Sequence, residues 1–167
     1  MTPKKIALYL SIALTSSLSS LAFADSITQA LVNGKAGVNL NLRYENVSQE
    51  NTLKDADALT LRTRLTYTTG TVNGFSSLVE FEDSRTILGV NDYNNAAGKN
   101  STYSVIADPE TTEFDQFLLQ YRQKSFGVKI GRQVITMDNH RFVGHVGWRQ
   151  DRQTFDGLSF DYQPIEN

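Results

Sequence analysis

Cysteine is absent from the 167 residues of the chain. Its absence excludes a disulfide framework, a thiolate nucleophile, a Cys-ligated zinc site and a lipid-modified cysteine. A basic surplus is absent too, because 16 Lys and Arg stand against 18 Asp and Glu, and this argues against a nucleic-acid partner. Hydrophobic residues nevertheless make up 40% of the chain, which is compatible with a folded domain and not with a disordered tail.

Apolar runs long enough to cross a membrane as a helix are also missing, since crossing takes about 20 residues. The longest run, residues 6–14, follows Lys4 and Lys5 and gives way to Ser and Thr. It leads to the small-residue motif AFA at 22–24. These three features are typical of a secretory signal peptide. We therefore predict a signal peptide over residues 1–24, removed after residue 24, and export through the periplasm of a Gram-negative bacterium.

A short periplasmic leader over residues 25–35 is predicted to precede the main domain, residues 36–167. Ser26 and Gln29 have the spacing of a capping box, and Gly34 is placed to end a helix. The leader is therefore expected to form one or two turns of helix. The alternative is a floppy segment.

Alternation of apolar and polar residues runs through the main domain. In AGVNLNLRYENV (36–47) and LTLRTRLTYT (59–68), Leu, Val and Tyr alternate with Asn, Thr and Arg. Further segments alternate more loosely, around residues 75–82, 116–122, 128–131 and 158–163. A period of two is typical of strands with one apolar face. The sequence therefore predicts six strands.

The predicted strands are joined by long and short connections in turn. The long connections are 48–58, 84–112 and 134–153, and the short ones are 70–74 and the residues around Lys124 and Ser125. This is typical of an up-and-down barrel with periplasmic turns and long outer loops. Six strands are fewer than the roughly eight of the smallest single-chain barrels. We therefore predict an all-β fold, an incomplete transmembrane antiparallel up-and-down β-barrel, as the N-terminal fragment of a larger one.

Aromatic and arginine positions favour a membrane barrel over a soluble sheet. Tyr and Phe lie near the ends of the predicted strands, as in the aromatic girdles of outer-membrane barrels. Arg62 and Arg64 share one face of the second strand. An Arg at the lipid midplane costs about 2–4 kcal/mol, so we expect both to point into a polar lumen.

Four motifs stand out between Gly131 and Tyr162. They are GRQ at 131–133, DNHRFVG at 138–144, VGWRQ at 146–150 and QTFDG at 153–157. This stretch resembles the alginate-export family of outer-membrane porins, with weaker similarity in the leader and in GVNLNLRYE. The resemblance implies a monomeric barrel of about 18 strands with an arginine-rich pore for an anionic polysaccharide. Glu80, Glu82 and Asp161 lie on the lumen side and depart from a uniformly positive pore, so the substrate stays open.

Five basic residues fall on the polar side of their strands and are the candidates for pore lining and selectivity: Arg43, Arg62, Arg64, Arg122 and Lys129. In one interpretation they form a basic track that favours the entry of anions. In the other, Glu45, Glu80 and Glu82 neutralise them, and the charges only solvate the wall.

The connection at 134–153 is the candidate constriction loop. Its candidate residues are Arg132 at its start, Arg141, Trp148, Arg149 and Arg152. Trp148 and Phe142 are expected to anchor it against the wall, and Gly144 and Gly147 to allow tight bends. The alternative is that the loop folds inward for a purely structural reason, to hold its two ends together.

These features predict an outer-membrane porin for passive diffusion or export of polar, chiefly anionic, solutes or polysaccharide. The first alternative is a surface receptor or adhesin that uses the 84–112 connection. The second is a soluble secreted β-domain for binding. The expected partners are outer-membrane lipid, the barrel-insertion machinery and the solute, with no nucleic acid.

Catalytic and metal-binding motifs are missing from the sequence. Neither G-x-S-x-G nor H-E-x-x-H occurs. His140, His145 and Asp138 lie in one loop without the fixed geometry that a metal needs. We therefore predict neither an enzyme nor a bound cofactor.

Overall fold

The computed structural model describes residues 24–163. Residues 1–23 and 164–167 lie outside the described part, so the signal peptide and its cleavage stay predictions. A helix, α1, covers residues 24–32, and strands follow it. The strands are β1 Lys35–Val47, β2 Ala56–Thr68, β3 Phe75–Asp92, β4 Thr111–Gln123, β5 Phe126–Gln133 and β6 Phe155–Tyr162.

The strands form one sheet in chain order, and each pairs antiparallel with the next. Within residues 24–163, β1 and β6 have a strand neighbour on one side only. The predicted all-β, antiparallel up-and-down fold is confirmed, and the open six-stranded sheet is consistent with an incomplete barrel.

The predicted alternation of long and short connections is also present. The connections are 48–55, 69–74, 93–110, 124–125 and 134–154. The 124–125 turn is the shortest, and Lys124 there has a φ of 48°, a left-handed conformation that suits a tight hairpin. All short connections therefore lie at one end of the sheet and all long ones at the other.

The third strand is longer than the sequence indicates. The prediction of a connection over 84–112 is wrong in its bounds, because β3 continues to Asp92 and pairs there with Asp57 of β2. Leu88 and Gly89 have positive φ values of 54° and 75°, and they interrupt the pairing just before it resumes. The irregular stretch hides the alternation from sequence analysis.

The helix α1 overlaps the predicted leader, but its start differs from the capping-box expectation. Ala24 and Asp25 are already helical, so Ser26 lies within the helix and not at its N-cap. The Thr28 hydroxyl donates to the Ala24 carbonyl oxygen at 2.9 Å. The helix has ended by Asn33, next to Gly34. No helix in the described part of the chain is both long and apolar enough to cross a membrane.

The sheet has one polar and one apolar face, and their exposure is the reverse of that in a soluble protein. The polar face is buried at most positions of β2 and β3: Thr60, Arg62, Arg64, Ser76, Glu80, Glu82 and Ser84. The apolar face is exposed, with Val38, Leu40, Leu42, Leu65, Phe117, Leu119, Ile130, Leu158 and Phe160 as members. Buried polar and exposed apolar surfaces of this extent indicate that the apolar face meets another apolar phase.

A bulge in β4 changes which side chains reach the polar face. Glu80 pairs with Gln116 and the next residue of β3, Phe81, pairs with Phe114, so Asp115 is an extra residue. Asp115 is fully buried, while Phe114 is exposed. The bulge therefore places a carboxylate on the polar face where strict alternation would not.

Aromatic side chains lie at both ends of the apolar face, as predicted for two girdles. Phe75 and Tyr121 are 4.7 Å apart beside the short connections. Phe81 and Phe114 meet edge to face at 6.0 Å farther along β3 and β4. At the opposite end, the Tyr44 hydroxyl donates to the Asp57 carboxylate at 2.6 Å. Such positions are typical of a membrane interface.

Two arginine substitutions test the assignment of the faces. Leu40 is exposed on the apolar face, whereas a side chain at Gly37, on the polar face, would meet nothing within 4 Å. Leu40→Arg is expected to lower the free energy of unfolding by about 2–4 kcal/mol in lipid, and Gly37→Arg to cause no comparable loss. Urea unfolding in phospholipid vesicles measures both, and equal losses would contradict the assignment.

Candidate functional site

The β5–β6 loop, residues 134–154, crosses the polar face and reaches the strands at the other side of the sheet. Gln150 is fully buried there. Its amide nitrogen donates to the Thr60 hydroxyl at 2.7 Å, the Thr60 carbonyl at 3.2 Å and the Asn41 carbonyl at 3.1 Å. The loop is therefore fixed to β1 and β2 through one side chain.

Trp148 provides a second attachment of this loop. The guanidinium groups of Arg43 and Arg149 lie 4.4 and 4.2 Å from the centre of its ring, distances at which a cation and an aromatic ring attract each other. Arg43 also donates to the Trp148 carbonyl oxygen at 2.7 Å. Trp148 thus lies against β1 as the sequence predicts.

The prediction for Phe142 is wrong, because it is 75% exposed and does not anchor the loop. Gly144 lies in a close bend, since a Cβ there would be 2.7 Å from the His140 Nδ1, and Gly147 lies in a turn in which the Arg149 N–H donates to the Val146 carbonyl oxygen at 3.1 Å. The left-handed residues of the loop are Asp138, Asn139 and His140, whose φ values are 49°, 53° and 67°.

The β3–β4 loop, residues 93–110, also folds onto the polar face. Tyr93 and Ile106 are fully buried and pack against Ala56 and Ala58 at the start of β2. The Asp108 carboxylate accepts a hydrogen bond from the Gln150 backbone N–H at 3.1 Å. The two long loops therefore meet above the polar face.

Charges at this meeting point neutralise one another. Arg43 pairs with Glu45, and its Nε lies 3.3 Å from Asp108. Arg149 lies 2.9 Å from Glu45 and 3.6 Å from Asp108. The guanidinium groups of Arg43 and Arg149 thus share the carboxylates of Glu45 and Asp108, and Arg149 from the loop makes this group of four charges neutral.

A second group of charges lies on β2, β3 and β4. Arg64 pairs with Glu82 and lies 3.5 Å from Asp115. Arg152 from the β5–β6 loop pairs with Glu80 and lies 2.7 Å from Asp115. Breaking a buried pair of this kind leaves an uncompensated charge, which is costly.

The predicted pore-lining cations divide into paired and unpaired residues. Arg43 and Arg64 are neutralised as described, and Arg122 lies 2.7 Å from Asp161. Arg62 and Lys129 form no ion pair with any residue of the described part. Arg62 is buried and donates to the Asn39 side-chain oxygen at 2.8 Å and to the Arg149 carbonyl at 3.3 Å. Its Nε has no hydrogen-bond partner.

Two arginines assigned to the constriction loop lie elsewhere or away from the wall. Arg132 belongs to β5 and shares the face of Ile130, so it is on the apolar face and not in the loop. It lies 2.9 Å from Asp156, its direct partner on β6. Arg141 is in the loop but exposed, with its guanidinium 5.3 Å from the Phe142 ring. The strand continues past the predicted end of β5, which moves Arg132 out of the loop.

Titratable loop residues show the effect of burial. Burial raises the pKa of Asp151 above its usual value, so protonation of this carboxyl is easier in the folded loop. Burial and the neighbouring His140 lower the pKa of His145. The two histidine rings are 4.9 Å apart, and the described residues contain no group of ligands that could hold a metal ion.

Asp108, Asp115 and Gln150 are site residues that sequence analysis missed. Asp115 had a signal, because FDQF at 114–117 separates two outward phenylalanines by three positions and so predicts a bulge. Asp108 and Gln150 had none, since they lie in loops whose folding depends on the sheet below.

Comparison with known proteins gives one family match. The sequence profile of the family described as alginate export matches residues 34–166. The chain belongs to the alginate export family. No curated protein and no solved structure matches it.

Membership of the alginate export family confirms the resemblance carried by the motifs at 131–157. The family is an outer-membrane family of export channels and not of enzymes.

Gln150 offers a test of the loop attachment in this alginate export family member. Gln150→Leu removes three hydrogen bonds and leaves buried oxygens unpaired, a loss of about 1–3 kcal/mol for each unsatisfied group. We expect faster trypsin cleavage after Arg149 and Arg152, measured by peptide mapping. Gln153→Leu, at an exposed glutamine of the same loop, is the control. Equal cleavage rates for the two variants would contradict the attachment.

The division of the cations predicts different costs for two arginine substitutions. Arg64→Gln removes the partner of Glu82 and is expected to lower the free energy of unfolding by about 3–5 kcal/mol. Arg62→Gln removes no ion pair, so its effect on the free energy of unfolding should be clearly smaller. Urea unfolding in vesicles gives both values. The assignment fails if Arg62→Gln proves the more destabilising.

Proposed function

We propose that this chain forms part of an outer-membrane channel for passive export of polar solutes or polysaccharide, with anions preferred. The observation that supports it best is Arg62, a buried cation on the polar face without a carboxylate partner. A guanidinium that forms no ion pair of its own in a low-dielectric wall attracts anions from the solvent path beside it.

The selectivity is proposed to come from single positions and not from a continuous basic track. Arg43, Arg64 and Arg122 are neutralised by Glu45, Glu82 and Asp161, so they solvate the wall. Arg62 and Lys129 form no ion pair of their own with a residue of the described part of the chain. This arrangement suits a channel that passes neutral polar groups along most of its wall and favours anions at these positions.

The β5–β6 loop is proposed to be the constriction of the channel. Trp148 and Arg149 contact β1, which is four strands away from β5, and Arg152 contacts β3 and β4. The loop therefore occupies space that the wall would otherwise enclose. Its docking through hydrogen bonds and ion pairs gives the constriction a defined width.

The proposal includes a monomeric barrel, folded by the barrel-insertion machinery, with its apolar face in outer-membrane lipid. The burial of Tyr93 and Ile106 favours a pore-lining role for the β3–β4 loop over a freely displayed receptor or adhesin surface. The reversed exposure of the two faces argues against a soluble secreted β-domain.

Reversal potentials across a salt gradient test the proposed selectivity. The full-length protein is reconstituted in planar bilayers as wild type and as Arg62→Gln. We expect the variant to have a lower anion-to-cation permeability ratio, because one unpaired cation is lost.

Arg132→Gln is the matched control, since it removes the same charge from the apolar face. Its permeability ratio should equal that of the wild type. An unchanged ratio in Arg62→Gln, or an equal drop in both variants, would overturn the assignment of selectivity to Arg62. A protein that inserts but conducts no current would overturn the channel itself.

A further inference from the structure

The helix α1 lies on the apolar face of the sheet, at the end with the short connections. The backbone N–H of Gly70 donates to the Ala30 carbonyl oxygen at 2.7 Å, and the Tyr67 hydroxyl donates to the Leu31 carbonyl oxygen. Tyr67 shares the face of Leu65, which is the apolar face. The helix is therefore held against the outside of the wall and not within the polar interior.

An apolar cavity of about 570 Å³ lies between the helix and the sheet. Its apolar lining comes from the helix, the β2–β3 turn and two strands: Ile27, Ala30, Leu31, Val72, Phe75 and Leu119. The volume is within the roughly 300–1,000 Å³ that is usual for sites that bind small molecules. Phe75 and Leu119 belong to the exposed apolar face, so the cavity is continuous with the surface that meets lipid.

Ser76 and Ser77, two polar residues of the lining, already have partners. The Ser77 hydroxyl donates to the Leu118 carbonyl at 2.9 Å, and the Ser77 N–H donates to the Thr69 hydroxyl oxygen. The Ser76 hydroxyl accepts from Gln120 at 2.7 Å. Water in a cavity needs two to four free polar partners, which these groups do not supply.

Another strand of the barrel does not reach this cavity. It lies over β3 and β4, and both of these strands are paired on both edges. A further strand would add to β1 or β6 instead. The apolar face of α1, with Ile27, Ala30 and Leu31 at helical spacing, therefore has hydrocarbon as its available neighbour.

We propose that the cavity binds one acyl chain of a phospholipid in the periplasmic leaflet, with α1 lying in the membrane interface as an amphipathic helix. The inference rests on the outer-membrane location and on the proposed orientation with short turns toward the periplasm. The ligand class is a two-chain phospholipid, because the cavity is apolar and opens onto the lipid-facing surface.

Photolabelling tests this site. The full-length protein is reconstituted in vesicles of phosphatidylethanolamine and phosphatidylglycerol that contain phosphatidylethanolamine with a diazirine in its acyl chain. After irradiation, peptide mapping is expected to place label on α1 and on the segment around Phe75. Ala30→Phe fills the cavity and should abolish this label.

Ala36→Phe makes the same change on the apolar face of β1, outside the cavity, and should leave the label in place. Label spread evenly over the apolar face in all variants would overturn the proposal, since it shows general lipid contact only. Full modification of α1 by a water-soluble reagent in vesicles would also overturn the proposal. Protection of α1 that requires an added periplasmic extract would overturn it too, because a protein would then cover the helix. The readout does not depend on conductance, so a failed channel proposal and a failed lipid site give different results.

Discussion

Opposite charges on neighbouring strands and on the β5–β6 loop hold the polar face of this wall together. Arg64 illustrates this pairing, because Glu82 from the next strand and Asp115 from the bulge of β4 enclose it. Arg152 then pairs with the same Asp115 from above. Burial of any one of these groups alone would cost several kcal/mol. The sheet and the β5–β6 loop are therefore electrostatically interdependent.

The same pairing explains why an unpaired cation is informative. Most guanidinium groups on the polar face have carboxylates beside them, so the chain evidently carries enough acidic residues to neutralise its wall. Within the described part of the chain, Arg62 donates to the Asn39 side-chain oxygen and to the Arg149 carbonyl oxygen and forms no ion pair. This is why the proposed selectivity is assigned to Arg62 and not to its paired neighbours.

The sequence was sufficient for those features that depend on local pattern. Period-two alternation predicted β1 and β2 well, since each of their residues lies either on the apolar face or on the polar face. The family resemblance at 131–157 was confirmed by a match over 34–166. The placement of Arg43, Arg62 and Arg64 on one polar face also followed from alternation alone.

Features that depend on distant contacts could not be predicted in this way. The end of β3 follows an irregular stretch at Leu88 and Gly89, so its pairing with β2 left no periodic signal. Arg132 was misplaced because β5 continues beyond the apparent end of its pattern. The roles of Asp108 and Gln150 arise only when two loops meet over a sheet that is already formed. The residues beside them in the sequence do not indicate these contacts between the loops.

The long reach of the β5–β6 loop has a consequence for the order of folding. Gln150 bonds to Thr60, 90 residues earlier, and Arg149 pairs with Glu45, 104 residues earlier. Contacts of such separation carry a large entropic cost until the intervening chain is organised. We therefore expect the hairpins to form before the loop docks. Until it docks, Glu45 and Asp115 lack their loop partners Arg149 and Arg152, so the charge balance of the polar face is completed only in the last stage of folding.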